Sequence, residues 1–286
     1  VENKFFERPT VYVGEVSINV VNLENSLDFY QNIMGFAILD RADGKVRLTA
    51  NGKTPLLTLE QPENVKPKEE RTTGLFHFAI LLPTRADLSA FLKHILETEH
   101  RYGLGASDHY VSEALYLSDP DGNGIEVYRD RLSSEWNWDG DKVEMATVQL
   151  DAEGLLAESN EPWSGLPSRT VMGHIHLHVS DLDSTERFYV DGLAFDIVTR
   201  YPGALFASTG GYHHHIGLNV WNGVGANPPA ENSVGLNWFT LVYPNEETRS
   251  EAVNRLVQSG VTVTQESDFY VAKDPSSNVI RMVLPK

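Results

Sequence analysis

Histidine is the residue whose placement first suggests chemistry in this sequence. His174, His176 and His178 alternate in "GHIHLHVSDL" (173–182), and His213, His214 and His215 follow one another in "GGYHHHIGLN" (210–219). Single histidines stand in "LFHFAIL" (His77) and "SDHYVSEALYL" (His109). Imidazole ligates transition metals and exchanges protons near neutral pH, so these runs point to a metal centre, an acid/base site, or both. Side chains two apart on a strand share a face, which groups His174, His176 and His178. Counted back from Asn219, the same parity puts His213 and His215 on one face and His214 on the other. Glu126 in "GIEVY" and Tyr116, ten residues before it, add a carboxylate and a phenol. The chain has no cysteine, which excludes disulfides, thiolate zinc sites and a cysteine nucleophile.

The elements that must position these groups repeat. "GEVSINVVNLENSLDFYQNIMGFAIL" (14–39) and "GHIHLHVSDLDSTERFYVDGLAFDIV" (173–198) match position by position: glycine, alternating strand, helix, second strand. Asn22 and Asp181 fall where an N-cap belongs, and Gly35 and Gly192 where a C′ glycine belongs. Leu23, Leu27, Tyr30 and Met34 recur at helical spacing. Two weaker copies open at 74–96 and 235–260, and both close on an Asp-Pro turn before a last strand, "LSDPDGNGIEVY" and "AKDPSSNVIRMV". The chain reads as four βαβββ modules, near 11–61, 72–129, 171–222 and 233–285. In chain order that gives an N-terminal pair over 1–129, a connection over 130–170 and a C-terminal pair over 171–286. Residues 143–158 in the connection are expected to add a strand and a short helix.

At 286 residues and a net charge of −17, the chain has room for two ordinary domains and repels polyanions. Neither nucleic acid nor an anionic membrane surface is expected as a partner; a small molecule is, and a homo-oligomer is compatible with the composition. "VENKFFERPT" lacks a signal-peptide pattern and no apolar run is long enough to span a bilayer, so a cytoplasmic location is expected.

Four such modules, two per barrel-like half, resemble the vicinal oxygen chelate superfamily of glyoxalases and extradiol ring-cleaving dioxygenases, an α+β fold. The resemblance implies metal ligands in the middle of a module's first strand and on its last strand. Those places hold Ser17 with Thr58 in the first module, His77 and Glu126 in the second, His176 and Asn219 in the third, and Trp238 and Arg281 in the fourth. Pairing the modules in chain order leaves neither half a full ligand set. Pairing the two middle modules brings together His77, His176 and Glu126, a two-histidine, one-carboxylate set suited to Fe(II), with Mn(II) as the alternative. The outer pair would then be plugged by Trp238 and Arg281, the latter paired with a carboxylate.

"HIHLHVSDL" and "GGYHHHIGLN" are most similar to the catechol 2,3-dioxygenase group of bacillus type. That likeness implies His215 as the acid/base group, and Tyr116 and His109 as hydrogen-bonding partners of substrate hydroxyls. It leaves His213, Asn219, His174 and His178 as supports around the ligands. In the better-known relatives these residues come from the last two modules, not the middle two. The function so implied is Fe(II)- and O2-dependent extradiol cleavage of a catechol or related dihydroxylated aromatic, an oxidoreductase of aromatic catabolism. A glyoxalase-like isomerase or transferase on the same cup, or a metal-free binding protein, is the alternative. The isomerase normally carries a second carboxylate where Asn219 is expected.

Overall fold

Four times the chain lays down a strand, crosses through a helix, and returns by a short meander whose last strand runs parallel to the first. This is a computed structural model that describes residues 1–42, 44–98 and 103–285. The first module is β1 (Tyr12–Asn19), α1 (Leu23–Asp28), β2 (Ala37–Ala42), β3 (Lys45–Thr49) and β4 (Pro55–Glu60). The second is β5 (Gly74–Leu81), α2 (Arg85–Glu97), β6 (Gly105–Asp108), β7 (Ser112–Ser118) and β8 (Gly124–Asp130). The connection carries a two-residue ribbon, β9 (Trp138–Asp139) and β10 (Lys142–Val143), and the short helix α3 (Ala152–Ala157). The third module is β11 (Val171–His178), α4 (Leu182–Arg187), β12 (Asp196–Tyr201), β13 (Ala204–Ser208) and β14 (Ile216–Asn219). The fourth is β15 (Gly235–Val242), α5 (Glu246–Gln258), β16 (Val263–Glu266), β17 (Phe269–Lys273) and β18 (Val279–Val283).

The helix of each module starts where a side chain can cap it. Asn22, Thr84, Asp181 and Asn245 accept the backbone N–H of Asn25, Asp87, Ser184 and Thr248, which satisfies a donor the helix itself cannot. In α1 and the π-helical turn Phe29–Ile33 that continues it, Leu23, Leu27, Tyr30 and the C-cap Met34 are all buried. Gly35 takes the left-handed conformation (φ +82°) expected of a C′ residue, but Gly192 does not. There the left-handed residue is Ala194 (φ +61°). Gly192 serves packing instead, because a Cβ on it would stand 2.6 Å from Leu256 Cδ2 of α5.

The strands form two eight-stranded sheets. In the inner one the order is β12-β13-β14-β11-β5-β8-β7-β6, so the second and third modules join through the antiparallel pair β5–β11, with His77 opposite His176. In the outer one the order is β16-β17-β18-β15-β1-β4-β3-β2, and the first and fourth modules join through β1–β15, with Ser17 opposite Trp238. The hydrogen-bonded halves are therefore the middle and outer pairs of modules, not 1–129 and 171–286.

Buried phenols tie the sheets to each other along the chain order that the strands ignore. Tyr30 donates to Asp119 (2.9 Å) and Tyr189 to Asp274 (3.2 Å), so each helix of an odd module docks on the Asp-Pro turn of the next. Those carboxylates also accept the backbone N–H groups that shape their own turns, Asp121 and Asn123 in one, Ser276 and Asn278 in the other. Among the described residues no helix is long and apolar enough to cross a membrane.

Candidate metal centre

The inner sheet carries a concave face on which two rows of residues meet. Across the strands one row reads His174, Ala79, Glu126, Tyr116, and the next reads His176, His77, Gly124. Ala79 lies between His174 and Glu126, and its methyl group leaves room for both longer side chains to lean together. Gly124 is required beside His77: a Cβ there would meet the Phe76 carbonyl at 2.1 Å.

His77 Nε2 and His174 Nε2 converge on the same oxygen of Glu126, at 3.0 and 3.1 Å. All three residues are buried, and among the described residues theirs is the group of His, Asp and Glu side chains whose atoms lie close enough to hold a metal ion. Burial pushes the Glu126 carboxyl up, but the adjoining imidazoles, His174 above all, outweigh it and hold the group well below the usual carboxylate range. Its charge therefore persists in the interior. His77 Nε2 is 3.0 Å from that Glu126 oxygen but not aligned to hydrogen-bond with it or with any other atom, despite its burial. Two imidazole nitrogens crowded on one carboxylate oxygen are what a divalent cation would satisfy, so the residues fit a metal.

A cavity of about 280 Å³ opens above this group. Phe76, Phe206, Tyr201 and Trp221 wall it, Met145 and Thr147 of the connection roof it, and no lysine or arginine among the described residues lines it. Tyr116 and His109 stand on its wall as a pair, with the Tyr116 hydroxyl 2.6 Å from His109 Nε2. His109 Nδ1 donates to the Ala146 carbonyl at 2.6 Å, which leaves Nε2 to accept from the phenol. Burial and the Glu126 charge push the Tyr116 phenol well above its ordinary pKa, so it remains a neutral donor.

The outer sheet repeats the geometry without the chemistry. Glu15, His77, His174 and Trp238 each stand seven residues before an N-cap and are equivalent, as are Thr58, Glu126, Gly217 and Arg281 on the last strands. The Arg281 guanidinium sits 3.8 Å over the Trp238 ring and 5.1 Å from that of Phe269, and Thr58 donates to Glu15 at 2.5 Å. Arg281 is met by aromatic faces rather than by the expected carboxylate contact, while burial lowers its pKa against the field of Glu60, Glu15 and Glu266.

Residues 12–127 and 171–281 match the family described as the Glyoxalase/Bleomycin resistance protein/Dioxygenase superfamily. The chain belongs to that superfamily. It is 48% identical over 272 residues to a catechol-2,3-dioxygenase of Bacillus subtilis (strain 168), covering 93% of this chain and 94% of the relative. Among solved structures it resembles a putative dioxygenase of Bacillus subtilis (TM-score 0.64, 12% identity, 96% of this chain and 85% of the other). It also resembles glyoxalase I of Zea mays (TM-score 0.57, 14% identity, 96% and 92%). At those identities the two structures speak to the fold alone.

Within this superfamily member, several expected places shift. His174, expected as a support, stands with His77 and Glu126, whereas His176, expected in the triad, accepts from Asn219 Nδ2 at 3.0 Å. The cause is register: His174 and His77 share the seven-residue offset to the helix, and His176 lies two residues further on. Gly217, not Asn219, is the counterpart of Glu126. Asn219 is held by His176 and by His178 (2.7 Å), and His178 faces a separate surface groove.

The histidine triplet also departs from parity, because β14 begins only at Ile216 and the preceding residues are not strand. His214 faces the cavity, its ring 4.1 Å from that of His174. His215 points away and donates through Nε2 to the Phe5 carbonyl at 3.0 Å. Burial pushes its imidazole down to about 3, so it stays neutral. His213 is wholly buried behind the wall, bonded to Asp130 and His214.

Proposed function

We propose that this protein is an extradiol dioxygenase that opens the ring of catechols lacking an anionic substituent, using Fe(II) held by His77, Glu126 and His174. The observation that carries the reading is the convergence of those three side chains beneath a cavity walled by aromatic rings, in a close relative of a catechol-2,3-dioxygenase. Iron bound there supplies Lewis acidity towards vicinal hydroxyls and the redox capacity that O2 chemistry requires. Mn(II) fits the same donors and is the alternative metal.

The chain's own residues account for the rest. Phe76, Phe206 and Trp221 offer faces and edges between which a planar ring is held, fixing its orientation before reaction. Tyr116, kept neutral with its hydrogen held by His109 Nε2, accepts a hydrogen bond from a substrate hydroxyl. His214, the cavity-facing member of its triplet, takes the place expected of His215: the hydroxyl O–H bond breaks and its proton passes to Nε2 of the ring. With no lysine or arginine among the described residues of the wall, a carboxylate on the substrate would be buried without a counter-charge from them, which costs several kcal/mol or more. Gly217, at the place equivalent to Glu126, offers no fourth donor, which weighs against a glyoxalase-type four-ligand site. The His77 nitrogen, held 3.0 Å from Glu126 without an aligned hydrogen bond, weighs against a metal-free binding protein.

The test is anaerobic loading with Fe(II), then catechol or 4-methylcatechol and air, followed by absorbance for a yellow ring-cleavage product. Product from the neutral catechols, with far lower kcat/KM for protocatechuate, is expected. Absence of product across a panel of catechols and hydroquinones, with iron demonstrably bound, would overturn the reading.

A further inference from the structure

Behind the cavity-facing His214 lies a buried file of polar groups that the ring-cleavage reading, on which this inference rests, leaves without a task. His214 Nδ1 is 2.8 Å from His213 Nδ1, and His213 Nε2 is 2.8 Å from Asp130 Oδ1. The other oxygen, Oδ2, accepts the Tyr212 hydroxyl at 3.0 Å, and the Tyr212 oxygen lies 2.7 Å from the Tyr128 hydroxyl. Three different elements converge: Asp130 ends β8, His213 and His214 precede β14, and Trp136 of the connection covers His213 with ring centroids 5.1 Å apart.

We propose that Asp130 and His213 are positioning residues that lock His214 in the tautomer carrying its proton on Nδ1, leaving the Nε2 lone pair facing the cavity as the proton acceptor. The direction of each bond follows from what its atoms can do. An ionised carboxylate only accepts, so His213 Nε2 carries the hydrogen. Neutral His213 then has a bare Nδ1, which can only accept. The hydrogen between the two rings therefore belongs to His214 Nδ1, and the remaining nitrogen of His214 is bare. Such a file orients the ring as well as fixing its tautomer.

Asparagine at position 130 makes a sharp test. With Tyr212 donating as it does to Asp130 Oδ2, the amide oxygen faces Tyr212 and the amide nitrogen turns towards His213. Every hydrogen in the file then reverses: His213 carries its proton on Nδ1, and His214 presents N–H to the cavity.

The experiment combines imidazole 15N spectra of the full chain prepared without metal with steady-state kinetics of the iron-loaded enzyme. Wild type is expected to show His214 protonated on Nδ1. Asp130→Asn should move that proton to Nε2 and lower kcat by about 10²–10⁴-fold, with KM changed less than about threefold, the weight of a misdirected acid/base. Asp130→Glu, which keeps the carboxylate, should recover at least about tenfold of that loss. A wild-type His214 protonated on Nε2 overturns the proposal even if the variant does not fold. So does an Asp130→Asn protein whose kcat falls less than tenfold or whose loss lies in KM. If wild type cleaves no catechol, the dioxygenase reading fails, while the spectra still decide the tautomer.

Discussion

Replacing His215 by leucine separates a wall residue from a reacting one, and its effect should depend on pH in a way set by burial. The substitution removes the hydrogen bond to the Phe5 carbonyl (3.0 Å) and a weaker one from the Thr209 N–H (3.4 Å), leaving a buried carbonyl unpaired. Such a loss costs about 1–3 kcal/mol, or roughly 2–10 °C in Tm for a chain of this size. In the folded protein His215 takes up a proton only near pH 3, whereas in the unfolded chain it does so near pH 6.5. Between those values the unfolded state binds more protons, so wild type loses stability as pH falls, by about 1.4 kcal/mol per pH unit. At about pH 5 this has cost wild type about 2 kcal/mol that the leucine variant never pays. The Tm gap measured by calorimetry should therefore be widest near neutral pH and close by most of its size on acidification. The variant's kcat at neutral pH should stay within a few-fold of wild type. A gap unchanged by pH, or a fall in kcat of about 10²–10⁴-fold, the weight of a lost acid/base group, would refute the placement of this side chain.

Three further outcomes are expected. Glu126→Gln should fold but bind little iron, as read by metal analysis after loading, because the charge that offsets the cation is gone; full iron occupancy would remove Glu126 from the site. His174→Ala should lose iron and His176→Ala should retain it with reduced turnover, and the reverse result would restore the ligand set expected from the repeat. Gly217→Ala would set a Cβ 2.7 Å from His176 Cγ, forcing that ring to move, so it should cost about 1–3 kcal/mol and lower kcat/KM. Unchanged values would show that the ring has slack.

The fold was legible because its punctuation is chemical and local. Asn22 and Asp181 cap helices in the structure as their side chains suggest, and the Asp-Pro turns close the modules they were expected to close. The union of the middle modules followed from where ligand-type residues are and where Trp238 and Arg281 are. The site was read two residues out at His176, although a local signal existed: counting back from the helix cap, rather than from the repeat's opening glycine, selects His77 and His174 alike. The triplet misled for a different reason. Parity holds only while the backbone is pleated, and at 212–215 it is not. Nothing in the sequence brings Met145 and Thr147 over the cavity; that depends on how the connection folds back, with Ala146 donating to the His109 carbonyl and its own carbonyl accepting from the His109 ring.

The nesting of one sheet inside the other's chain order also sets a timetable for synthesis. A strand pairs only once its partner has left the ribosome. β5 and β11 flank the connection, so the inner sheet can assemble while the fourth module is still being made. β1 is among the earliest strands to emerge, yet the strand that pairs it across the outer sheet, β15, comes in the last module. Closing that long loop carries an entropic cost and slows the step. During the wait β1 exposes an unpaired edge in a nascent chain, the kind of surface that aggregates. The Tyr30 hydroxyl bonded to Asp119 gives the first module an early anchor on the second, so the waiting strand is tethered to a half that is already able to fold.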